Sequence, residues 1–430
     1  MKNVLLLADD CNPEWPSLPV VGYKQAKALS EHANVTVVTH VRNRPNIRAR
    51  MNGLDMIGKA WVEYVDNENV ARPLHKISTF IRGGEQVGWT TSIAFNYLSY
   101  VAFEREVWKK FERPLTDGTI EIVHRLTPMS PTIPSPIVSW LERSGSKNAA
   151  KFIIGPLNGG LPWPRGFEEE MGREKEGLSR VRSLHKFLPY RTSTYRCATK
   201  VITAFKHTRN DVPAGTNVID MPEIGHDPEV FYRDVERVRS EKAFTFLYAG
   251  RLVPYKMPSL VVEAFSRSNV LRRSAKLVII GEGPERPTIE KLIASQGLQD
   301  SVALLGSMDQ LAVSRWMRTS DAFVFPSIRE LGAGVIIEAM ACGLPCIATN
   351  YGAMSDLLSN DRGMLVPLSD RSTMAKTFSS KMETMVTSPM RRRTLVENGS
   401  KFASTLTWDE KARRIVKIYD DALKACHATM

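Results

Sequence analysis

The chain has 430 residues, 43% of them hydrophobic and 24% charged. At roughly 100–200 residues per domain this length predicts two or three domains, each able to bury its own core, and the composition excludes a disordered, collagen-like or disulfide-scaffolded chain. The net charge of +12 is spread along the sequence and permits an anionic partner, but no RNP aromatics, zinc knuckles or basic zipper accompany it, so nucleic acid is not expected.

The predicted elements alternate short apolar runs with helical patterns. In chain order the runs are Val4–Ala8, Val35–Thr39, Trp61–Val65, Ile120–His124, Phe152–Gly155, Val201–Phe205 and Val218–Met221, then Phe244–Gly250, Leu277–Gly281, Val302–Gly306, Ala322–Pro326, Pro345–Thr349 and Met364–Pro367. Most are rich in Val, Ile, Leu and Phe without polar alternation, as in parallel strands buried on both faces. Helices fill the gaps; in Met257–Ser268, for example, Met257, Leu260, Val261, Ala264 and Phe265 recur at helical spacing. The rhythm breaks at 223–241, a charged stretch that follows Met221-Pro222. The expectation is an α/β fold of two doubly wound, Rossmann-like domains, residues 1–223 and 224–406, facing across a ligand-binding cleft. A final helix, Thr407–Ala425, carries Trp408, Ala412, Ile415, Val416, Tyr419 and Leu423 on one stripe. Residues 407–430 are expected to pack back on the first domain.

Val4–Ala8 is too short for a signal h-region, and no apolar run approaches the ~20 residues of a membrane span. A cytoplasmic protein is expected. The five cysteines, Cys11, Cys197, Cys342, Cys346 and Cys426, are scattered, which suits free thiols better than a zinc site.

Candidate functional residues also follow in chain order. Trp89, Phe95, Tyr97, Tyr100, Phe103, Trp108 and Phe111 admit two readings, a core-packed helix or an aromatic surface for a sugar or lipid. His124 closes a predicted strand, where a lone His is usually structural. Gly159-Gly160 follows another strand and permits close backbone approach to a ligand, or makes only a rigid turn. Arg180, Arg182, Lys186, Arg191, Arg196 and Lys200 interleave with Leu184, Phe187, Leu188, Tyr190 and Tyr195. That pattern fits an ordinary helix pair or a peripheral contact on the inner face of the membrane, serving a lipid-linked acceptor.

In the second half a strand ends at Gly250, and two cations, Arg251 and Lys256, follow just before a helix. Gly281-Glu282-Gly283-Pro284 makes another strand-to-helix turn. The densest stretch is Phe323–Pro345: a buried strand ends at Pro326, a short loop carries Glu330, and Gly332-Ala333-Gly334 opens a helix that bears Val335 and, one turn on, Glu338. Small residues at a helix N-terminus expose amides, and the positive end of the dipole favours phosphate. A solvated Glu330 and a salt-bridged Glu338 remain an alternative reading of spacing alone.

This stretch resembles the E-x7-E signature of retaining GT-B glycosyltransferases, family 4 (glycosyl transferases group 1). The likeness is carried by Glu330 and Glu338, by Pro326-Ser327 and by the run from Glu338 to Pro345, and it extends over most of Phe244–Pro367. One departure is Leu331-Gly332-Ala333-Gly334, where the family usually has Gly-Phe-Gly. The resemblance implies a retaining, metal-independent transfer of a sugar from a UDP- or GDP-linked donor to a hydroxyl acceptor, carbohydrate or lipid-linked, in polysaccharide or glycoconjugate biosynthesis, with no cofactor.

By the same resemblance Arg251 and Lys256 clamp the diphosphate, where fixed cations stabilise the charge that develops on the leaving group. Glu338 holds the ribose. Glu330 and His124 hold the sugar. Gly281 and Gly283 lie by the donor, Ser307 and Met308 mark where main-chain groups read the base, and Gly332, Ala333, Gly334 and Val335 face the diphosphate. Gly22, Gly159 and Gly160 are implied as phosphate or acceptor loops, although Val20-Val21-Gly22 lacks the family's Gly-Gly pair. Another GT-B enzyme (a phosphorylase or a nucleotide-sugar epimerase) and a basic membrane- or RNA-binding adaptor on the same fold are the alternatives.

Overall fold

The computed structural model describes residues 1–70, 72–73, 92–174, 185–234 and 243–424. Each apolar run named above overlaps a strand, and the strands form two sheets. The first has the order β3-β4-β2-β1-β5-β6-β7-β8, made of β1 Asn3–Ala8, β2 Asn34–His40, β3 Met56–Ile57, β4 Ala60–Val65, β5 Ile122–Thr127, β6 Lys151–Leu157, β7 Lys200–Thr203 and β8 Val218–Asp220. All its pairings are parallel except the β3–β4 hairpin. The second is wholly parallel in the order β11-β10-β9-β12-β13-β14. Its members are β9 Phe244–Ala249, β10 Ala275–Ile280, β11 Val302–Leu304, β12 Ala322–Phe325, β13 Cys346–Thr349 and β14 Gly363–Val366. β12 and β13 are buried from end to end because helices cover both faces.

The chain divides into two compact units. One comprises Met1–Gly160, Lys175–Ile224 and Trp408–Met430; the other comprises Leu161–Glu174 and Gly225–Thr407. The helix Trp408–Lys424 supplies Trp408, Ala412, Ile415, Ile418, Tyr419 and Ala422 to the core of the first unit, against the helix Leu18–Leu29. It also buries a cation: Lys411 Nζ donates to the Glu223 carbonyl at 2.6 Å. Desolvation pushes Lys411 down and the Glu223 carboxyl up, and their mutual attraction opposes both shifts.

Leu161–Glu174 departs from the expected division, which gave the whole of 1–223 to the first domain. Four contacts explain it. Tyr351 Oη donates to the Pro162 carbonyl at 2.9 Å. Arg329 lies over the Trp163 ring at 5.1 Å. Leu161 packs where a Cβ on Gly352 would stand. Arg173 pairs with the buried carboxylate of Glu285.

In the first unit the helix Ser92–Thr116 turns Tyr97, Tyr100 and Phe103 inward, with Trp108 and Phe111 packed on the same core. Tyr97, Tyr100, Phe103, Trp108 and Phe111 are therefore core, while Trp89 and the Phe95 side chain lie outside the described residues. Its buried Glu104 accepts from Ile137 N at 2.8 Å and from the Ser135 hydroxyl, capping the helix Ile137–Arg143. Burial pushes that carboxyl up to about 7.

Candidate functional site

The parallel sheet of the second unit sends the ends of β9, β10 and β12 out on one side, and three loops follow them there. The first runs from Gly250 through a single 3-10 turn, Pro254–Lys256, to the helix Pro258–Ser266. The second is Gly281–Glu285. It lies backbone against backbone on the first: Leu252 N donates to Glu282 O at 2.8 Å and Glu285 N to Leu252 O at 2.9 Å. A Cβ at Gly281 would stand 1.9 Å from Gly250 O, and one at Gly283 would stand 2.4 Å from Leu252 O, so only glycine permits this approach. The third loop, Pro326–Ala333, leads into the helix Gly334–Ala341.

Two residues that enter these helices are strained. Met257 (φ 45°, ψ 46°) and Ala333 (φ 47°, ψ 45°) both adopt the left-handed conformation without being glycine. Such backbone costs of order 1–3 kcal/mol and persists where the surroundings over-determine it. Here it turns each loop sharply into the N-terminus of a helix, the end at which free amides and the dipole favour an anion.

Lys256 and Glu330 meet at this edge as an ion pair. Lys256 Nζ also stands 4.9 Å from the centre of the Phe325 ring and 5.3 Å from that of Tyr255. The Ser327 hydroxyl reaches Glu330 Oε1 at 3.0 Å and the Tyr255 carbonyl at 3.2 Å, and Ile328 N donates to that carbonyl at 2.9 Å. Ala353 N fixes the Glu330 carbonyl at 3.1 Å. Arg251 is exposed and donates to Tyr255 Oη at 2.8 Å. The buried Tyr248 donates to Arg251 O at 3.2 Å. Two cations and a carboxylate thus share one strand-end edge with two helix N-termini.

Gly332 and Ala333 are buried at the mouth of the second helix, with Gly334 and Val335 in its first turn and Glu338 half-buried one turn on. Ser307 is exposed and Met308 half-buried in the loop after β11, whose Gly306 carbonyl accepts from Gly281 N at 2.8 Å. These positions lie on the same unit and follow the same sheet edge.

The first-unit expectations fare differently. His124 does not close its strand: β5 runs on to Thr127. Its ring is fully buried, with Nε2 donating to Gly155 O at 2.6 Å and Nδ1 accepting from Tyr419 Oη at 2.6 Å. Burial pushes its pKa down to about 4, and the Gly155 carbonyl only partly opposes this. Both nitrogens are occupied, so His124 is a core histidine that ties β5 to β6 and to the C-terminal helix, not a sugar ligand. The neighbouring Arg125 is buried too and donates to the carbonyls of Pro128 (3.0 Å) and Ser130 (2.8 Å), bracing the loop after β5.

The loop glycines lie against other parts of the first unit. A Cβ would meet Asp10 O from Gly22 (2.5 Å), the Pro131 ring from Gly159 (2.8 Å) and His207 O from Gly160 (2.6 Å). Beside Gly22, Asp10 pairs with Arg42 at 2.6 Å, and burial together with the Asp10 charge raises Asp9 to about 6. Two members of the basic segment also turn inward: Arg191 donates to Asp211 O at 2.8 Å and Tyr195 to Pro131 O at 2.6 Å. Arg180, Arg182 and Leu184 lie outside the described residues. Among the described residues no helix is long and apolar enough to cross a membrane, and no group of three or more His, Cys, Asp or Glu gathers as a metal site.

Sequence reasoning missed three contributors: Tyr255, the Ser327 hydroxyl and the Leu161–Glu174 strap. Tyr255 sits between the two cations in sequence, which was the available signal. Nothing local marks the strap, because its contacts lie far away at Glu285, Arg329, Tyr351 and Gly352.

Comparison with known proteins agrees with this geometry. Residues 233–402 match the family described as glycosyl transferases group 1. A D-inositol 3-phosphate glycosyltransferase of Jonesia denitrificans is 28% identical over 199 residues, 44% of this chain and 46% of that protein. An N-acetyl-alpha-D-glucosaminyl L-malate synthase of Bacillus anthracis is 31% identical over 151 residues, 34% of this chain and 39% of that protein. The matched stretch thus spans less than half the length of these curated relatives. Among solved structures, sucrose-phosphate synthase of Thermosynechococcus elongatus superposes with a TM-score of 0.64 at 17% identity, covering 99% of this chain and 100% of that one. Anabaena HepE, in complex with UDP, gives 0.59 at 15% identity, covering 98% and 100%. The chain therefore has the two-domain GT-B fold, and its residues 233–402 are similar to the glycosyl transferases group 1 family.

Proposed function

We propose that this protein is a retaining, metal-independent glycosyltransferase that moves a sugar from a nucleoside-diphosphate donor to a hydroxyl acceptor. The observation that carries the reading is the Lys256–Glu330 pair beside Arg251, at a sheet edge where two helices begin, inside the matched stretch. Similarity to named glycosyltransferases and to a fold whose HepE example holds UDP supports the same reading.

The diphosphate lies against Arg251, Lys256 and the N-terminus of the helix Gly334–Ala341. There, cations and amides stabilise charge that grows as the bond from the sugar's anomeric carbon to phosphate breaks. Glu338 takes the ribose hydroxyls, and Glu330 takes the sugar. The acceptor hydroxyl attacks from the face the phosphate leaves. Its proton passes to the departing phosphate oxygen, so one C–O bond forms as another breaks and the anomeric configuration is kept. His124 has no part, because both its ring nitrogens are engaged in the core.

The test is release of nucleoside diphosphate from a panel of UDP- and GDP-sugars, with and without EDTA, with the product anomer read by NMR. Release that persists in EDTA, with a retained anomer, is expected. Thermal stabilisation by polyanions alone, with no nucleotide sugar bound or turned over, favours the adaptor reading and sinks this one.

A further inference from the structure

Tyr255 lies between the two cations and touches the apparatus of both. Its hydroxyl accepts from the Arg251 guanidinium at 2.8 Å. Its ring faces Lys256 Nζ at 5.3 Å. Its carbonyl accepts from Ile328 N at 2.9 Å and lies 3.2 Å from the Ser327 hydroxyl, which in turn reaches Glu330. Arg251 otherwise projects into solvent, and a long, exposed guanidinium loses considerable rotamer freedom when a ligand fixes it. We infer that Tyr255 is a positioning residue: its hydroxyl pre-orients Arg251 toward the diphosphate, while its main chain joins the loop after β9 to the loop that carries Glu330. The inference rests on the donor-binding reading above and names a residue on which that reading does not itself depend.

Two consequences separate this role from a merely structural one. The backbone carbonyl is common to every amino acid, so a substitution at 255 spares the join between the loops and removes only the hydroxyl or the ring. And if the hydroxyl acts through Arg251, its removal has no effect once Arg251 is gone.

The experiment is a double-substitution cycle read by calorimetric titration of UDP, or of GDP where UDP gives no heat, on the full chain. Tyr255→Phe should weaken binding about three- to tenfold, the scale of one ordinary net hydrogen bond. It should raise the donor KM more than it lowers kcat and leave Tm nearly unchanged. Tyr255→Leu, which also strips the ring from Lys256, should weaken binding further. In an Arg251→Ala background Tyr255→Phe should have no additional effect. An unchanged affinity in Tyr255→Phe, with Arg251→Ala still weakening UDP, overturns the positioning role and leaves the donor site standing. So does an equal loss in both backgrounds, because the hydroxyl then acts on something other than Arg251. If neither Arg251→Ala nor Lys256→Ala alters nucleotide binding in folded protein, the donor-site reading fails and the positioning role falls with it.

Discussion

Lys256 and Glu330, 74 residues apart in sequence, neutralise each other at the edge of the second sheet, where their side chains are 12% and 13% exposed. On the proposed reading, the cation that would receive phosphate already holds an anion. A diphosphate arriving at Lys256 must share or displace that carboxylate.

Glu330→Gln should therefore tighten UDP binding about three- to tenfold by titration calorimetry, since the competing negative charge is gone. Turnover of the nucleotide sugar should fall by about 10²-fold at the same time, because the proposed sugar contact is altered. Weaker binding in this variant would show that Glu330 does not compete for Lys256.

Lys256→Ala should cut turnover by roughly 10²–10³-fold, the usual cost of one lost transition-state donor. It also leaves Glu330 without its cation in a mostly enclosed setting, so Tm should drop. Lys256→Ala combined with Glu330→Gln should recover most of that Tm and none of the turnover. An additive Tm loss in the double variant contradicts the pairing.

Ala333 is held at φ 47° just before the helix Gly334–Ala341. Ala333→Gly should change stability by less than about 1 kcal/mol, since relief of left-handed strain offsets the greater entropy of the unfolded chain. Ala333→Val should cost about 2–3 kcal/mol, because a β-branched side chain tolerates this backbone poorly. Urea denaturation of both variants checks the difference.

His124 is buried with its pKa lowered from 6.5 to about 4. The unfolded chain binds this proton more readily, so the histidine's contribution is complete above about pH 6.5 and is lost as pH falls toward 4. The loss amounts to about 3 kcal/mol. The stability difference between wild type and His124→Gln should narrow between pH 7 and pH 4.5, because the amide does not titrate. Donor turnover at pH 7.5 should survive in folded His124→Gln protein, since the ring faces the core. A turnover loss with unchanged Tm would return His124 to the site.

The strands were legible because parallel strands buried on both faces must be uninterrupted apolar runs, and Phe244–Gly250 or Ala322–Pro326 have no other reading. β3 escaped because a two-residue antiparallel pairing, Met56↔Trp61 and Ile57↔Ala60, leaves no periodic trace. The shared edge of Arg251, Lys256 and Glu330 was legible because all three lie on strand-end loops, whereas Glu338 stands one turn into the helix Gly334–Ala341. His124 misled because a strand's length past an apolar run depends on its neighbours: Leu7 and Ala8 pair with Arg125 and Thr127, carrying β5 onward. The glycines at 22, 159 and 160 are each needed where protein atoms crowd the would-be Cβ, and a glycine in the sequence reads the same whether protein or ligand fills that space.

The strap Leu161–Glu174 bears on how this chain can be recombined. A fragment cut at the 224/225 crossing, or a chimera that exchanges the C-terminal half with a relative, leaves the strap behind on the other parent. Glu285 then loses Arg173, the Arg329 guanidinium loses its aromatic face, and the notch at Gly352 loses Leu161. A working transplant of donor preference has to carry two separate pieces of the gene, the short one encoding 161–174 as well as the long one, and a single-junction swap should yield a poorly soluble hybrid however well its two halves match elsewhere.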